Sequence, residues 1–132
     1  MLTRSTVSVV LALALAGAAS HAQTGDPVRG KTVFLDRELG HCILCHQVRS
    51  LDAPFQGNIG PDLSTVADRF SLEELRNKVV DPSTTNPETT MPAYHRTSGL
   101  VQVTPEYRGK PILSRAELDD LVAYLATLRD KP

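Results

Sequence analysis

Both cysteines of the chain and one of its histidines fall within five residues, Cys42-Ile43-Leu44-Cys45-His46. This is C-x-x-C-H, the spacing that attaches haem c. Each thiol can add across a haem vinyl group to form a thioether, and the histidine that follows is then held against the iron as its proximal ligand. The chemistry would be one-electron transfer. A bare C-x-x-C also occurs in thioredoxin-like redox pairs and in half of a zinc site. A zinc site needs further cysteine or histidine pairs, and the chain has no third cysteine. A thioredoxin-like pair needs a preceding strand and a βαβ setting, and nothing upstream reads as strand.

An electron-carrying haem iron usually keeps six ligands, so a second axial group is expected. The chain holds two methionines, and Met1 would leave with a cleaved leader, so Met91 remains. It stands in Thr90-Met91-Pro92, in a long loop well after the haem motif. Pro92 restricts Met91 to an extended backbone, which helps to aim the thioether. His95, four residues further on, is the rival distal ligand. The difference matters, because a Met/His pair raises the reduction potential relative to two imidazoles. His41 is tethered too near the attachment site to ligate easily and reads as exposed. A ligating histidine normally donates its other N–H to a fixed acceptor. The carbonyl of Pro61 in Gly60-Pro61 is the candidate partner for His46, with Leu63 packing on the ring. An ordinary turn would account for the same residues.

The elements that must position these groups read as helices and loops, with no strand of note. Asp26-Pro27 starts a helix, aspartate as N-cap and proline at the first helical position, and Gly40 is expected to end it. Gly30 and Phe34 are four apart and share a face, where a glycine lets another helix approach closely, and Val33 joins that interface. Ser71-Leu72-Glu73-Glu74 is a capping box, opening a helix with Leu72, Leu75 and Val79 that stops at Asp81-Pro82. Ser114-Arg115-Ala116-Glu117 is another. Its helix carries Leu118, Leu121, Val122, Leu125 and Leu128 over about four turns, with Asp119, Asp120 and Arg129 expected largely on the other face. Between Cys45 and Ser71 lies a turn-rich stretch, Gly57 to Leu63, leading to a short helical turn. From Asp81 to Leu113, prolines 82, 87, 92, 105 and 111 break any regular element. So long a loop in a small domain needs a reason, and wrapping a cofactor supplies one. The expected architecture is all-α, first and last helices crossing over a small residue.

Arg4 followed by an apolar run from Val7 to Ala19, then Ser20-His21-Ala22 before Gln23, reads as a secretory signal peptide over residues 1–22. The run is too short to span a membrane, which takes roughly 20 apolar residues. Export of the unfolded chain to a bacterial periplasm suits haem c, which is attached after translocation. Residues 23–132 form the one expected domain, too small for more than a modest core. With three Phe, three Tyr and no Trp, the chain is lean in aromatics, so a buried porphyrin would supply apolar mass that the polypeptide lacks. A formal net charge of −1 gives no support for nucleic-acid or membrane-surface binding. The stretch from Arg96 to Arg115 is locally basic (Arg96, Arg108, Lys110 and Arg115 against Glu106), suited to haem propionates or an acidic partner, or simply a solvated surface.

Taken together these features resemble a class I cytochrome c, whose fold has crossing N- and C-terminal helices and long loops around one covalent haem. Three blocks narrow the resemblance: Gln56 to Leu63 (QGNIGPDL), Asn86 to Tyr94 (NPETTMPAY) and Tyr107 to Leu113 (YRGKPIL). With Val122-Ala123-Tyr124-Leu125 they are similar to the X subunit of the sulfur-oxidising (Sox) cytochrome complex, from about Gly40 to Leu128. The longer N-terminal extension of some members is missing. The resemblance implies a larger SoxA-type haem subunit as partner, in a complex that joins thiosulfate oxidatively to a cysteine on a carrier protein and releases two electrons. It places the sulfur chemistry on the A subunit. It gives the X subunit a His/Met haem that passes electrons to a small soluble cytochrome. By position, Cys42 and Cys45 bind haem, His46 is proximal and Met91 distal. No residue here is a credible catalyst of the sulfur chemistry. The competing readings are a free monohaem carrier for another periplasmic enzyme and, remotely, a thiol–disulfide redox protein.

Overall fold

The computed structural model describes residues 25–129, so the leader expected over residues 1–22 lies outside the described part. Four α-helices follow one another: α1 (Pro27–Leu35), α2 (Val66–Arg69), α3 (Leu72–Val80) and α4 (Arg115–Leu125). Single 3₁₀ turns stand at Cys42–Leu44, Pro82–Thr84 and Pro105–Tyr107, and the described residues contain no strand. None of their helices is long and apolar enough to cross a membrane.

Local chemistry sets the helix starts. The Asp26 side chain accepts from the amides of Val28 and Arg29, with Pro27 at the first position. Ser71 and Ser114 each form a reciprocal capping box, with Glu74 and Glu117 respectively. These contacts satisfy amide donors that a helix start otherwise leaves orphaned.

The ends differ from expectation. Helix α1 stops at Leu35 rather than at Gly40. Asp36 leaves helical angles, and its carboxylate accepts the Glu38 amide at 2.8 Å, while the His41 amide donates to the Asp36 carbonyl at 2.8 Å. This local turn outcompetes further helix. Gly40 serves packing instead: a Cβ there would lie 2.8 Å from Cys42 Sγ and 3.0 Å from the Val33 carbonyl oxygen. Helix α4 ends at Leu125, about three turns long, and Leu128 reaches the core from the following turn.

Helices α1 and α4 pack against each other, and α3 lies on α4. The α1–α4 contact runs through Gly30, where a Cβ would overlap the Asp120 carbonyl oxygen and lie 2.8 Å from Tyr124 Cβ. Phe34 meets Tyr124 edge to face one turn further on, ring centroids 5.5 Å apart. Leu113, Leu118, Leu121 and Val48 complete the most deeply buried core. Leu72, by contrast, faces solvent, leaving Leu75 and Val79 as the buried face of α3.

Asp119 and Asp120 do not lie on an exposed face. They are 5% and 6% exposed, and each holds an arginine from another helix. Asp119 pairs with Arg76 of α3. Asp120 takes Arg29 Nε at 2.7 Å and Nη2 at 3.0 Å, and also accepts the Asp26 amide at 2.6 Å. An apolar periodicity places charges outward, but a fork-shaped guanidinium arriving from a neighbouring helix reverses that preference. The Arg29 hydrogen bond holds the Asp120 carboxyl below its ordinary value of 3.8. A depressed folded-state pKa means that the stabilisation is fully present above the unfolded value and is lost as pH falls from there through the lower folded-state value. Asp120→Asn is therefore expected to be less stable than wild type at neutral pH and to lose part of the acid limb below about pH 4. Urea midpoints at about pH 3 and pH 7 check this.

Candidate haem site

Residues Cys42 to His46 form one tight turn. It is entered through His41 at φ +44°, and His41 is half-buried rather than exposed. The Cys45 and His46 amides both donate to the Cys42 carbonyl, at 3.1 and 2.9 Å. A turn closed in this way brings positions i, i+3 and i+4 to one side. Both cysteines are free, Cys42 buried and Cys45 half-buried. Burial pushes the Cys42 thiol up to about 12. A reactive redox cysteine needs the opposite shift, whereas a neutral thioether suits this setting.

The loop from Gly57 to Leu63 is laced onto that turn. Gly57 N donates to the Ile43 carbonyl at 2.9 Å, Gly60 N to Cys45 at 2.8 Å and Leu63 N to Gln47 at 2.8 Å. Two glycines make the approach possible. At Gly57 a Cβ would overlap the Leu44 carbonyl oxygen, and at Gly60 it would overlap the His46 ring, 2.6 Å from Nδ1. The ring is thus seated on bare backbone, with Nδ1 2.8 Å from the Pro61 carbonyl oxygen. With Nδ1–H donating there, Nε2 is the nitrogen left for a metal. Leu63 is half-buried against the core.

Gln56 does more than the sequence signalled. Its Oε1 accepts the Val48 amide at 2.7 Å, and its Nε2 donates to the carbonyls of Leu51 and Ala53 at 3.1 and 3.3 Å. One side chain closes the loop from Val48 to Gln56, which leads into the segment that carries Pro61. A glutamine before a Gly-rich turn is the only sequence trace of this.

Met91 and His95 stand on the segment that follows α3. Met91 is half-buried, packs on the core and donates its amide to Thr89 Oγ1 at 3.2 Å. His95 places Nδ1 2.8 Å from the Leu113 carbonyl oxygen. Its Nδ1 therefore sits on a backbone carbonyl just as that of His46 does, so this contact does not separate His95 from Met91 as a ligand. Arg96 closes the loop onto Asp81 at 3.1 Å. The Tyr94 hydroxyl, donated to the Gly40 carbonyl at 2.9 Å, ties this segment to the cysteine turn.

These features fit haem c. Two unlinked sulfurs, one in a setting that favours a neutral form, share a turn with an imidazole whose seat is cut from glycine backbone. A groove of about 530 Å³ lined by Lys31, Arg49, Ser64, Tyr124 and Arg129 contains none of the cysteines, His46 or Met91, and is separate from this site.

Comparison with known proteins points the same way. Residues 27–129 match the cytochrome c family. Among solved structures, the chain is similar to one in the crystal structure of SoxXA from P. pantotrophus, with 33% identity, a TM-score of 0.76, and coverage of 83% of this chain and 85% of that one. It also resembles the c-type cytochrome SorU from Sinorhizobium meliloti, with 24% identity, a TM-score of 0.50, and coverage of 78% and 90%. The second likeness speaks to fold alone. No curated protein matches the sequence significantly.

Proposed function

Because this chain belongs to the cytochrome c family, we propose that it is the electron-transfer subunit of a SoxXA-type complex, exported to the periplasm after loss of residues 1–22. The observation that carries the finer assignment is the 33% identity to a chain of SoxXA, spread over 83% of the sequence. The blocks Gln56 to Leu63, Asn86 to Tyr94 and Tyr107 to Leu113 support it.

Haem c, covalently held, supplies a one-electron couple. In this reading the chain's own residues do the rest. Cys42 and Cys45 would hold the group covalently on one turn, so that it could not dissociate. His46 keeps Nδ1–H on the Pro61 carbonyl and presents Nε2, its ring orientation held by the backbone at Gly60. Leu63 would pack on the ring. Met91 would supply a neutral thioether as the second protein ligand. Side chains held this firmly change little with oxidation state, which keeps electron transfer fast. The complex would couple thiosulfate to a cysteine of a carrier protein, with the sulfur chemistry on a larger SoxA-type haem subunit and a small soluble cytochrome as electron acceptor.

A tagged copy purified from native periplasm under mild conditions, then stained for covalent haem on a denaturing gel, tests this. A second, larger haem-positive band is expected to co-elute. A lone haem band at monomer size would replace the proposal with a free-standing carrier.

A further inference from the structure

Tyr94 is placed where no ordinary core tyrosine needs to be. It is 8% exposed, and its hydroxyl reaches the carbonyl of Gly40 at 2.9 Å, across 54 residues of sequence. Its backbone is fixed on both sides. The Tyr94 amide donates to the Val79 carbonyl at the end of α3, at 3.1 Å, and its carbonyl accepts the Leu113 amide just before α4, at 2.9 Å. The acceptor is equally constrained. Gly40 is buried, and its packing against Cys42 Sγ and the Val33 carbonyl leaves no room even for a Cβ.

Two rigid points are therefore joined by one hydrogen bond. On one side stands the turn that begins at Cys42, two residues after Gly40. On the other stands Met91, three residues before Tyr94, with Pro92 limiting the backbone between them. We propose that Tyr94 is a positioning residue for the distal ligand, its hydroxyl latching the Met91 segment to the haem-attachment turn. The inference rests on Met91 as that ligand. A bond of this kind acts differentially: it favours the arrangement in which the Met91 segment is closed over the site and contributes nothing once the segment swings away. Burial pushes the phenol up to about 12, so the hydroxyl keeps its proton throughout the neutral range.

The test is competition by free imidazole for the iron of the ferric, haem-loaded protein, followed by loss of the sulfur-to-iron charge-transfer band. Tyr94→Phe deletes one oxygen and keeps the ring in the core. It is expected to retain the band, yet bind imidazole about tenfold more tightly than wild type, the factor a single buried hydrogen bond supplies. Tyr124→Phe is the control. That tyrosine is also buried, but it lies in α4 against Phe34, and its imidazole affinity is expected to stay within about twofold of wild type. Gly40→Ala keeps the acceptor carbonyl but displaces it, because the added Cβ crowds Cys42 Sγ and the Val33 carbonyl; it is expected to tighten imidazole binding too, which keeps the test open should Tyr94→Phe fail to load haem. A wild-type band with an unmoved affinity in Tyr94→Phe would overturn the latch alone. So would equal tightening in Tyr124→Phe, which would reveal general loosening. A wild-type protein with no such band would overturn Met91 as ligand and the latch with it.

Discussion

Replacing Met91 by alanine is expected to abolish the sulfur-to-iron charge-transfer band of the ferric protein and to lower its reduction potential by on the order of 0.1–0.3 V, a fraction of the ~0.8 V range that axial ligands span. A thioether is a neutral, soft donor that favours ferrous over ferric iron, so its loss destabilises the reduced form. The direction follows whichever group then fills the position, since water and imidazole both favour ferric iron more than a thioether does. The side chain is half-buried on the core, and its backbone is held by Thr89 on one side and Pro92 on the other. Alanine leaves that backbone intact, so the effect should be confined to the ligand. His95→Ala provides the contrast. It removes a hydrogen bond to the Leu113 carbonyl and is expected to keep the band. A wild-type protein without the band, whose spectrum and potential stay unchanged in Met91→Ala and shift in His95→Ala, would transfer the ligand role to His95.

Such tests are possible because so much of the site is written locally. The cysteine turn needs only its own spacing. The two capping boxes and Asp26-Pro27 fix where α1, α3 and α4 begin, since each involves groups within three residues of one another. The small residue between the terminal helices could be read from Gly30 and Phe34, because helical periodicity puts them on one face. What escaped depends on partners far along the chain. Asp119 and Asp120 fit the polar positions of an amphipathic helix, and nothing in α4 announces that arginines 43 and 91 residues away turn them inward. The Tyr94–Gly40 bond has the same character. The end of α1 was missed for a different reason. An aspartate that caps a turn and a glycine that ends a helix are competing stop signals, and here the earlier one won. Gln56 appears in the sequence as the first residue of the Gln56–Leu63 block, but its bonding role does not, because it satisfies backbone groups of a loop and no periodicity reports that.

The second large effect is expected at Gly30, and it links fold to site. A Cβ at this position would overlap the carbonyl oxygen of Asp120 and lie 2.5 Å from its carbon and 2.8 Å from Tyr124 Cβ. The obstacle is largely helix backbone, which cannot rotate aside as a side chain can. Gly30→Val must therefore push α1 away from α4. That movement stretches the Arg29 fork from Asp120, one residue from the mutation, and parts Phe34 from Tyr124. It forfeits interior packing as well as adding strain, so a loss of at least ~4 kcal/mol is expected, against a total stability of about 5–15 kcal/mol for a domain of this kind. The consequence reaches the haem motif because Gly40 packs on the Val33 carbonyl of α1 and on Cys42. A displaced α1 loosens the turn that must present both sulfurs. Haem-loaded Gly30→Val should accumulate poorly in extracts of the expressing cells, and what accumulates should unfold at a much lower urea concentration. Gly99→Ala separates packing from backbone effects. Gly99 has φ +68° with nothing within 4 Å of a Cβ, so alanine there meets only the left-handed penalty of about 1–2 kcal/mol. It should load haem normally. Equal accumulation of Gly30→Val and Gly99→Ala would mean that close approach of the terminal helices is not what holds the attachment turn in place.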